Sequence, residues 1–268
     1  MKTNLHTHST WCDGRNTPEE MTLAAIDRGF DVLGFSSHMA SPLALEETVD
    51  PARYPDYVAD IRRVAAKYAD KIKVRCGAEA DYIPGRTTPD RSRYAALGLD
   101  YLIGSVHYVS APDGALVPVD HSPEFLRDGI ASHFGGDVRA YIERYFAQET
   151  EMLQFDFDIV GHPDLVRKFN VKAPYFDEQA PWYLAARHRF ALALAASGKI
   201  TEVNTGAISR GWLTEPYPSA DFRAELAALG VKMIYSADAH AAESIDCDWE
   251  RCRKYVSGAE AANDIPAE

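Results

Sequence analysis

The stretch Leu226-Ala227-Ala228-Leu229-Gly230-Val231-Lys232-Met233-Ile234-Tyr235-Ser236-Ala237-Asp238-Ala239-His240 reads in three parts. A helix runs into a glycine, a short apolar run follows, and an acid and a histidine stand at the carboxyl end of that run. Glycine just past a helix takes φ > 0 without a Cβ penalty. The run after it is rich in β-branched and aromatic residues, as a buried strand is. The same phrase recurs three times: Ala24 to Gly29 leads into Phe30-Asp31-Val32-Leu33-Gly34-Phe35-Ser36, Tyr94 to Gly98 into Leu99-Asp100-Tyr101-Leu102-Ile103-Gly104-Ser105-Val106, and Ala191 to Gly198 into Lys199-Ile200-Thr201-Glu202-Val203.

Further strands are expected over residues 2–6, 74–79 and 157–161, and further helices over 57–68, 138–154, 182–196, 221–229 and 249–256. The first helix is marked by Thr17-Pro18-Glu19-Glu20, with Thr as N-cap, Pro at the first helical position and Glu three residues past the cap. About seven strand-then-helix units with mostly continuous apolar strands describe a parallel sheet buried on both faces. For one domain spanning residues 1–268, a closed or distorted (β/α) barrel is the first choice and an open doubly wound sheet the second. No strand is followed by a nucleotide-cradling glycine motif. The connection over residues 109–137 carries Asp113-Gly114, prolines and Gly135-Gly136, and reads as a long loop without regular structure, of the kind that forms a lid. The tail after Ser257 reads as frayed.

Lys+Arg 28 against Asp+Glu 40 gives a formal charge of -12, and no basic run exceeds two residues, which argues against a groove for DNA or RNA. The longest apolar run, Phe190 to Ala196, is far short of the ~20 residues that span a bilayer, so no membrane partner and a cytoplasmic location are expected. Cys12, Cys76, Cys247 and Cys252 form no CxxC pair and read as reduced thiols.

Six of the nine histidines stand at or just past a strand end: His6, His8, His38, His107, His162 and His240. Asp13, Glu79 and Asp238 share that placement. In parallel α/β architecture the carboxyl ends of the strands form the functional face, so residues distant in sequence converge there. Any one of these histidines could be a hydrogen-bonded structural residue; six at one face with three acids are a metal site. Imidazole and carboxylate without thiolate suit Zn, Mn or Fe, and nine donors exceed the needs of one ion, which points to a cluster of two or three. His188 reads as structural, while His121 and His133 fall in the long connection and either face substrate or are solvated.

Taken together, His6-x-His8-x4-Asp13-Gly14, Ser36-Ser37-His38, Gly77-Ala78-Glu79-Ala80-Asp81, Gly104-Ser105-Val106-His107, Val119-Asp120-His121-Ser122, Gly161-His162-Pro163-Asp164, Glu202-Val203-Asn204-Thr205-Gly206 and Ser236-Ala237-Asp238-Ala239-His240 resemble the signature of the polymerase and histidinol phosphatase (PHP) family, and within it the histidinol-phosphatase branch. The resemblance implies a distorted (β/α)7 TIM-like barrel with three divalent ions. One would be held by His6, His8, Glu79 and Asp238, the second by Glu79, His107 and His162, and the third by Asp13, His38 and His240. It further implies a phosphomonoesterase that hydrolyses L-histidinol phosphate in histidine biosynthesis, with a metal-bridging hydroxide as nucleophile and Glu79, Asp238 and His240 in catalysis. The alternative within the family is a phosphoesterase for another small phosphate, such as a nucleotide. Three ions against three ligating carboxylates would leave the pocket near +3, which reconciles an acidic chain with an anionic substrate.

Arg167 and Arg210 both follow strand ends and are the expected phosphate clamps, since a guanidinium fork matches phosphate oxygens. The ammonium and imidazole of the substrate call for acids and aromatics at the far end, for which Asp81, Tyr82, Tyr108, Asp120, His121 and Trp212 are the candidates.

Overall fold

In the computed structural model, which describes residues 1–41, 43 and 47–257, the four glycines read as helix stops all have left-handed backbone, with φ of 69° at Gly29, 57° at Gly98, 71° at Gly198 and 79° at Gly230. After each stop the chain enters a strand. The seven parallel strands are β1 (Thr3–Asn4), β2 (Val32–Phe35), β3 (Lys73–Asp81), β4 (Tyr101–Ser105), β7 (Ile159–Val160), β8 (Ile200–Asn204) and β9 (Met233–Ser236). They lie side by side in that order, every neighbouring pair parallel. A doubly wound sheet reverses its strand order part-way; here the order follows the chain throughout. The two edges meet through a parallel bridge between Thr7 and Ala239, where the His8 amide donates to the Ala239 carbonyl at 2.9 Å. The architecture is therefore the distorted barrel, with β1 and β7 reduced to two residues each.

Leu5, Val32, Tyr101, Ile103, Ile159, Ile200 and Ile234 fill the barrel interior. Tyr101 plugs it, its hydroxyl donating to the carbonyls of Leu5 at 2.6 Å and Phe35 at 3.0 Å. A Cβ on Gly34 would lie 2.2 Å from the Tyr101 hydroxyl and one on Gly77 2.3 Å from its ring, so these two strand glycines make the ring's seat. A larger core lies between the strands and the helices. Those helices are α1 (Pro18–Asp27), α2 (Tyr54–Lys67), α4 (Val138–Met152), α5 (Pro181–Ser197) and α7 (Ala220–Ala228), with short α6 (Gly206–Ser209) and α8 (Trp249–Cys252). The expected capping box of α1 is present: the Glu20 amide donates to Thr17 Oγ1 at 3.3 Å and the Thr17 amide to Glu20 Oε2 at 2.8 Å. The helical stretch expected from Tyr94 to Gly98 is the end of a 3-10 helix, Arg91–Leu97, stopped at Gly98.

The connection over residues 109–137 corrects the sequence reading. It forms an antiparallel hairpin, β5 (Tyr108–Ser110) with β6 (Leu116–Pro118), followed by α3 (Pro123–His133). Asp113-Gly114 make the hairpin turn, Ser122 caps α3 through the Phe125 amide at 3.2 Å, and a Cβ on Gly129 would approach Val117 to 2.5 Å, so helix and hairpin are in close contact. Three-residue strands are too short to show alternation, and their turn and cap residues look like loop punctuation. The tail after Ser257 lies outside the described residues. Among the described residues no helix is long and apolar enough to cross a membrane.

Candidate metal and substrate site

Glu79 leaves the sheet at the carboxyl half of β3, fully buried, and five imidazoles close on its two oxygens. Oε2 lies 3.1 Å from His6 Nε2, 3.1 Å from His38 Nδ1 and 3.6 Å from His8 Nε2, while Oε1 lies 3.1 Å from His162 Nε2 and 3.5 Å from His107 Nε2. Ser105 of β4 donates to Oε1 at 2.6 Å. Each imidazole arrives from a strand end, because register places the ends of β1, β2, β4 and β7 around that of β3.

Asp238 and His240, past β9, complete the ring. His8 Nε2 is 3.4 Å from Asp238 Oδ1, and His240 Nε2 is 3.0 Å from Asp13 Oδ2. Asp238 has φ of 49°, a conformation that asparagine and aspartate tolerate better than other side chains and that collects at functional sites. All nine expected ligand positions thus fall in one cluster. Donor atoms close enough to share an ion occur as His8, Asp13, His38 and His240; as His6, His8 and Asp238; as His6, Glu79 and His162; and as His38, Glu79 and His107.

The donor set fits divalent cations. His8 Nε2 is buried with no hydrogen-bond partner and faces the Glu79 and Asp238 carboxylates, and hard or borderline cations take this oxygen and nitrogen set. Electrostatics agree. Burial opposes charge on His6, but Glu202, Glu79 and Asp238 together hold it well above the ordinary imidazole range. Burial likewise opposes charge on His107, yet Asp81 and then Glu79 push it up to about 10. His38 goes the other way, to about 4, because burial there outweighs Glu79.

A cavity of about 430 Å³ opens over the cluster, lined in part by Asp13, Glu79, His107, Asp120, Lys168 and Arg210. Arg210, at the end of α6, reaches in as expected; its guanidinium rests on Asp238 Oδ2 at 2.9 Å. A Cβ on Gly206 would lie 2.4 Å from that oxygen and 2.5 Å from the guanidinium, so glycine makes room for the pair.

Arg167 must be corrected: its buried guanidinium is engaged by Glu178 at 2.5 Å, Glu215 at 2.8 Å and Asp164 at 3.5 Å, and it does not line the cavity. Its neighbour Lys168 does, with Nζ 2.9 Å from Asp120 Oδ2. After the 3-10 turn Leu165–Arg167 the two basic residues diverge, Lys168 to the cavity and Arg167 away from it among carboxylates, which strand-end placement could not reveal.

Asp81 lines the cavity but is committed to His107 Nδ1 at 2.6 Å, so it orients that imidazole rather than standing free for substrate. Tyr108 lines both this cavity and an outer cleft of about 1100 Å³; His121 lines only the cleft, its ring on Phe125. Tyr82 bonds Glu151 and Trp212 packs edge-on against Phe169, neither toward the cavity. His188 pairs with Glu225, and His133 with Asp113 at the hairpin turn. Sequence reasoning also missed a role for Glu202 of β8, whose oxygens take His6 Nδ1 at 2.7 Å and the His162 amide at 3.0 Å; its place in a strand-end motif was the available signal.

The PHP domain family matches residues 4–206. The chain belongs to the PHP domain family. Among its relatives is a protein of Deinococcus radiodurans named probable histidinol-phosphatase, 30% identical over 88% of this chain and 85% of the relative. Two solved structures share its fold. A Listeria monocytogenes protein provisionally named histidinol phosphatase superposes with a TM-score of 0.83 at 21% identity, covering 93% of this chain and 99% of that one. The Lactococcus lactis histidinol phosphate phosphatase, solved with zinc, L-histidinol and phosphate, superposes with a TM-score of 0.69 at 22% identity, covering 95% and 93%.

Proposed function

We propose that the chain is a metal-dependent phosphomonoesterase that hydrolyses L-histidinol phosphate to L-histidinol and phosphate in histidine biosynthesis. The observation that carries this reading is the ring of five imidazoles around Glu79 beneath a cavity whose wall includes Lys168 and Arg210; the family membership and the relative's name support the substrate. On this reading His6, His8, Asp13, His38, Glu79, His107, His162, Asp238 and His240 would hold divalent ions, three in number and zinc, manganese or iron in kind; their grouping into donor sets supports it. When bound, such ions supply the positive charge that activates water and neutralises phosphoryl oxygens. Arg210 and Lys168 present donors to the phosphate from the cavity wall. Glu47, Asp120 and Tyr108 also line the cavity and suit the substrate's ammonium and imidazole.

Phosphate release tests the reading. Chelator-stripped protein should be inactive and recover with zinc or manganese, and kcat/KM for L-histidinol phosphate should exceed that for nucleoside monophosphates by at least about 100-fold, the discrimination a site with several polar contacts achieves. Full activity without metal, or a preference for nucleotides, would sink it.

A further inference from the structure

Glu202 lies wholly inside the barrel behind the cluster and touches none of the cavity. Three N–H groups converge on its two oxygens. Oε2 accepts from the His162 amide at 3.0 Å and from Asn204 Nδ2 at 3.0 Å. The direction of the second bond is settled by the other end of the same side chain, since Asn204 Oδ1 accepts from the Gly206 amide at 2.9 Å and so the Nδ2 group must face Glu202. Oε1 meets His6 Nδ1 at 2.7 Å.

A carboxylate is the acceptor-only group that satisfies this set. With its oxygens all accepting, the His6 contact has Nδ1–H as donor, so Nε2, which faces Glu79 Oε2 at 3.1 Å and Asp238 Oδ1 at 3.8 Å, is the nitrogen that would give its lone pair to a metal. A carboxylate behind an imidazole selects its tautomer, locks its ring and raises its basicity toward a metal. The same oxygen pair ties the His162 backbone, on the opposite side of Glu79, to the position of His6.

We infer that Glu202 is a positioning residue that presets His6 and the His162 segment for metal binding without itself touching metal or substrate. This rests on the metal reading of the site given above. Glutamine in its place has one acceptor end and one donor end. Either its NH2 group faces the His162 amide and Asn204, donor against donor, or it faces His6 Nδ1 and forces the ring proton onto Nε2, where the metal should sit. Both arrangements weaken the site.

The test is zinc titration of the chelator-stripped full chain, by competition with a chelating dye. Wild type should take up zinc, and Glu202→Gln should bind at least one ion about 10–100-fold more weakly. Glu225→Gln serves as control: it alters the same kind of pair, carboxylate to His188 Nδ1 at 2.6 Å, on the outside of the barrel, and should titrate as wild type does. A second measurement needs no variant. In zinc-loaded wild type, the ring proton of His6 should be found on Nδ1 by ¹H–¹⁵N correlation. Unchanged zinc affinity in Glu202→Gln, or a His6 proton on Nε2, would overturn the inference alone. A wild type that takes up no zinc would overturn the metal reading and this inference with it.

Discussion

Glu79 and Arg210 stand about the same cluster but carry opposite charges into it, so their variants should fail in different ways. Glu79→Gln removes the carboxylate shared by five imidazoles, and both metal content and kcat should collapse. Arg210→Ala should keep its metals and lose about 2–4 kcal/mol of transition-state stabilisation, as loss of a donor to a charged group does. An Arg210→Ala enzyme with unchanged kcat/KM would remove that residue from the site. Glu149 of α4 makes a separate residue-scale case. Its carboxyl is fully buried, accepts from the Tyr145 hydroxyl at 2.8 Å, and is held well above the ordinary 4.5, by burial first. A carboxyl whose folded value is raised binds its proton more tightly in the folded state, so its contribution is complete below 4.5 and is lost as pH climbs through the folded value. Wild type should therefore lose stability relative to Glu149→Gln as pH rises above 4.5, by roughly 1.4 kcal/mol per pH unit inside that window. Denaturation midpoints of the two proteins that run parallel from pH 5 to 9 would contradict it.

At the scale of elements, the hairpin of β5 and β6 with α3 departs most from a plain barrel. Val117, Val119, Leu126 and Ile130 are buried beneath it, so the unit is anchored in the core rather than flapping over the site. Its other side presents Asp120, Glu124, Asp128 and the exposed Phe125 to the outer cleft that adjoins the active cavity. Acids there suit a cationic substrate end, whereas an aryl phosphate carries none. Replacing Glu124 and Asp128 together with Gln and Asn should lower kcat/KM for L-histidinol phosphate by about five-fold, the worth of rim charges near 1 kcal/mol, and leave hydrolysis of an aryl phosphate nearly unchanged. Equal losses on both substrates, with metals retained, would mean that α3 closes the site generally and does not select. The correction of this segment from loop to hairpin and helix does not change where it leaves the barrel, directly after His107.

Over the whole molecule, a chain of net charge -12 gathers six imidazoles and three acids at one end of a barrel, where cations can reverse the local sign. Much of this was legible in one dimension. The helix–glycine–strand phrase announced parallel units because helix stops and buried strands are local matters of φ and of apolar run length, and the φ values of Gly29, Gly98, Gly198 and Gly230 agree with it. The strand-end placement of His6, His8, His38, Glu79, His107, His162, Asp238 and His240 followed from topology, since parallel strands present one end to one face. What the sequence could not decide was rotation and partnership at close range. Arg167 and Lys168 are adjacent, and only the 3-10 turn between His162 and the barrel rim decides that lysine enters the cavity while arginine is enclosed by three carboxylates. Likewise Asp81 reads in the sequence as a substrate contact and Glu202 only as part of a motif; that each holds an imidazole from behind depends on packing across the strand ends, where a rotation of one residue would point the same carboxylate elsewhere. The sequence determined which groups reach the functional face, because that is a count along strands, and the tertiary structure decided which of them touch, because a hydrogen bond is set by tenths of an ångström that no pattern of residues specifies.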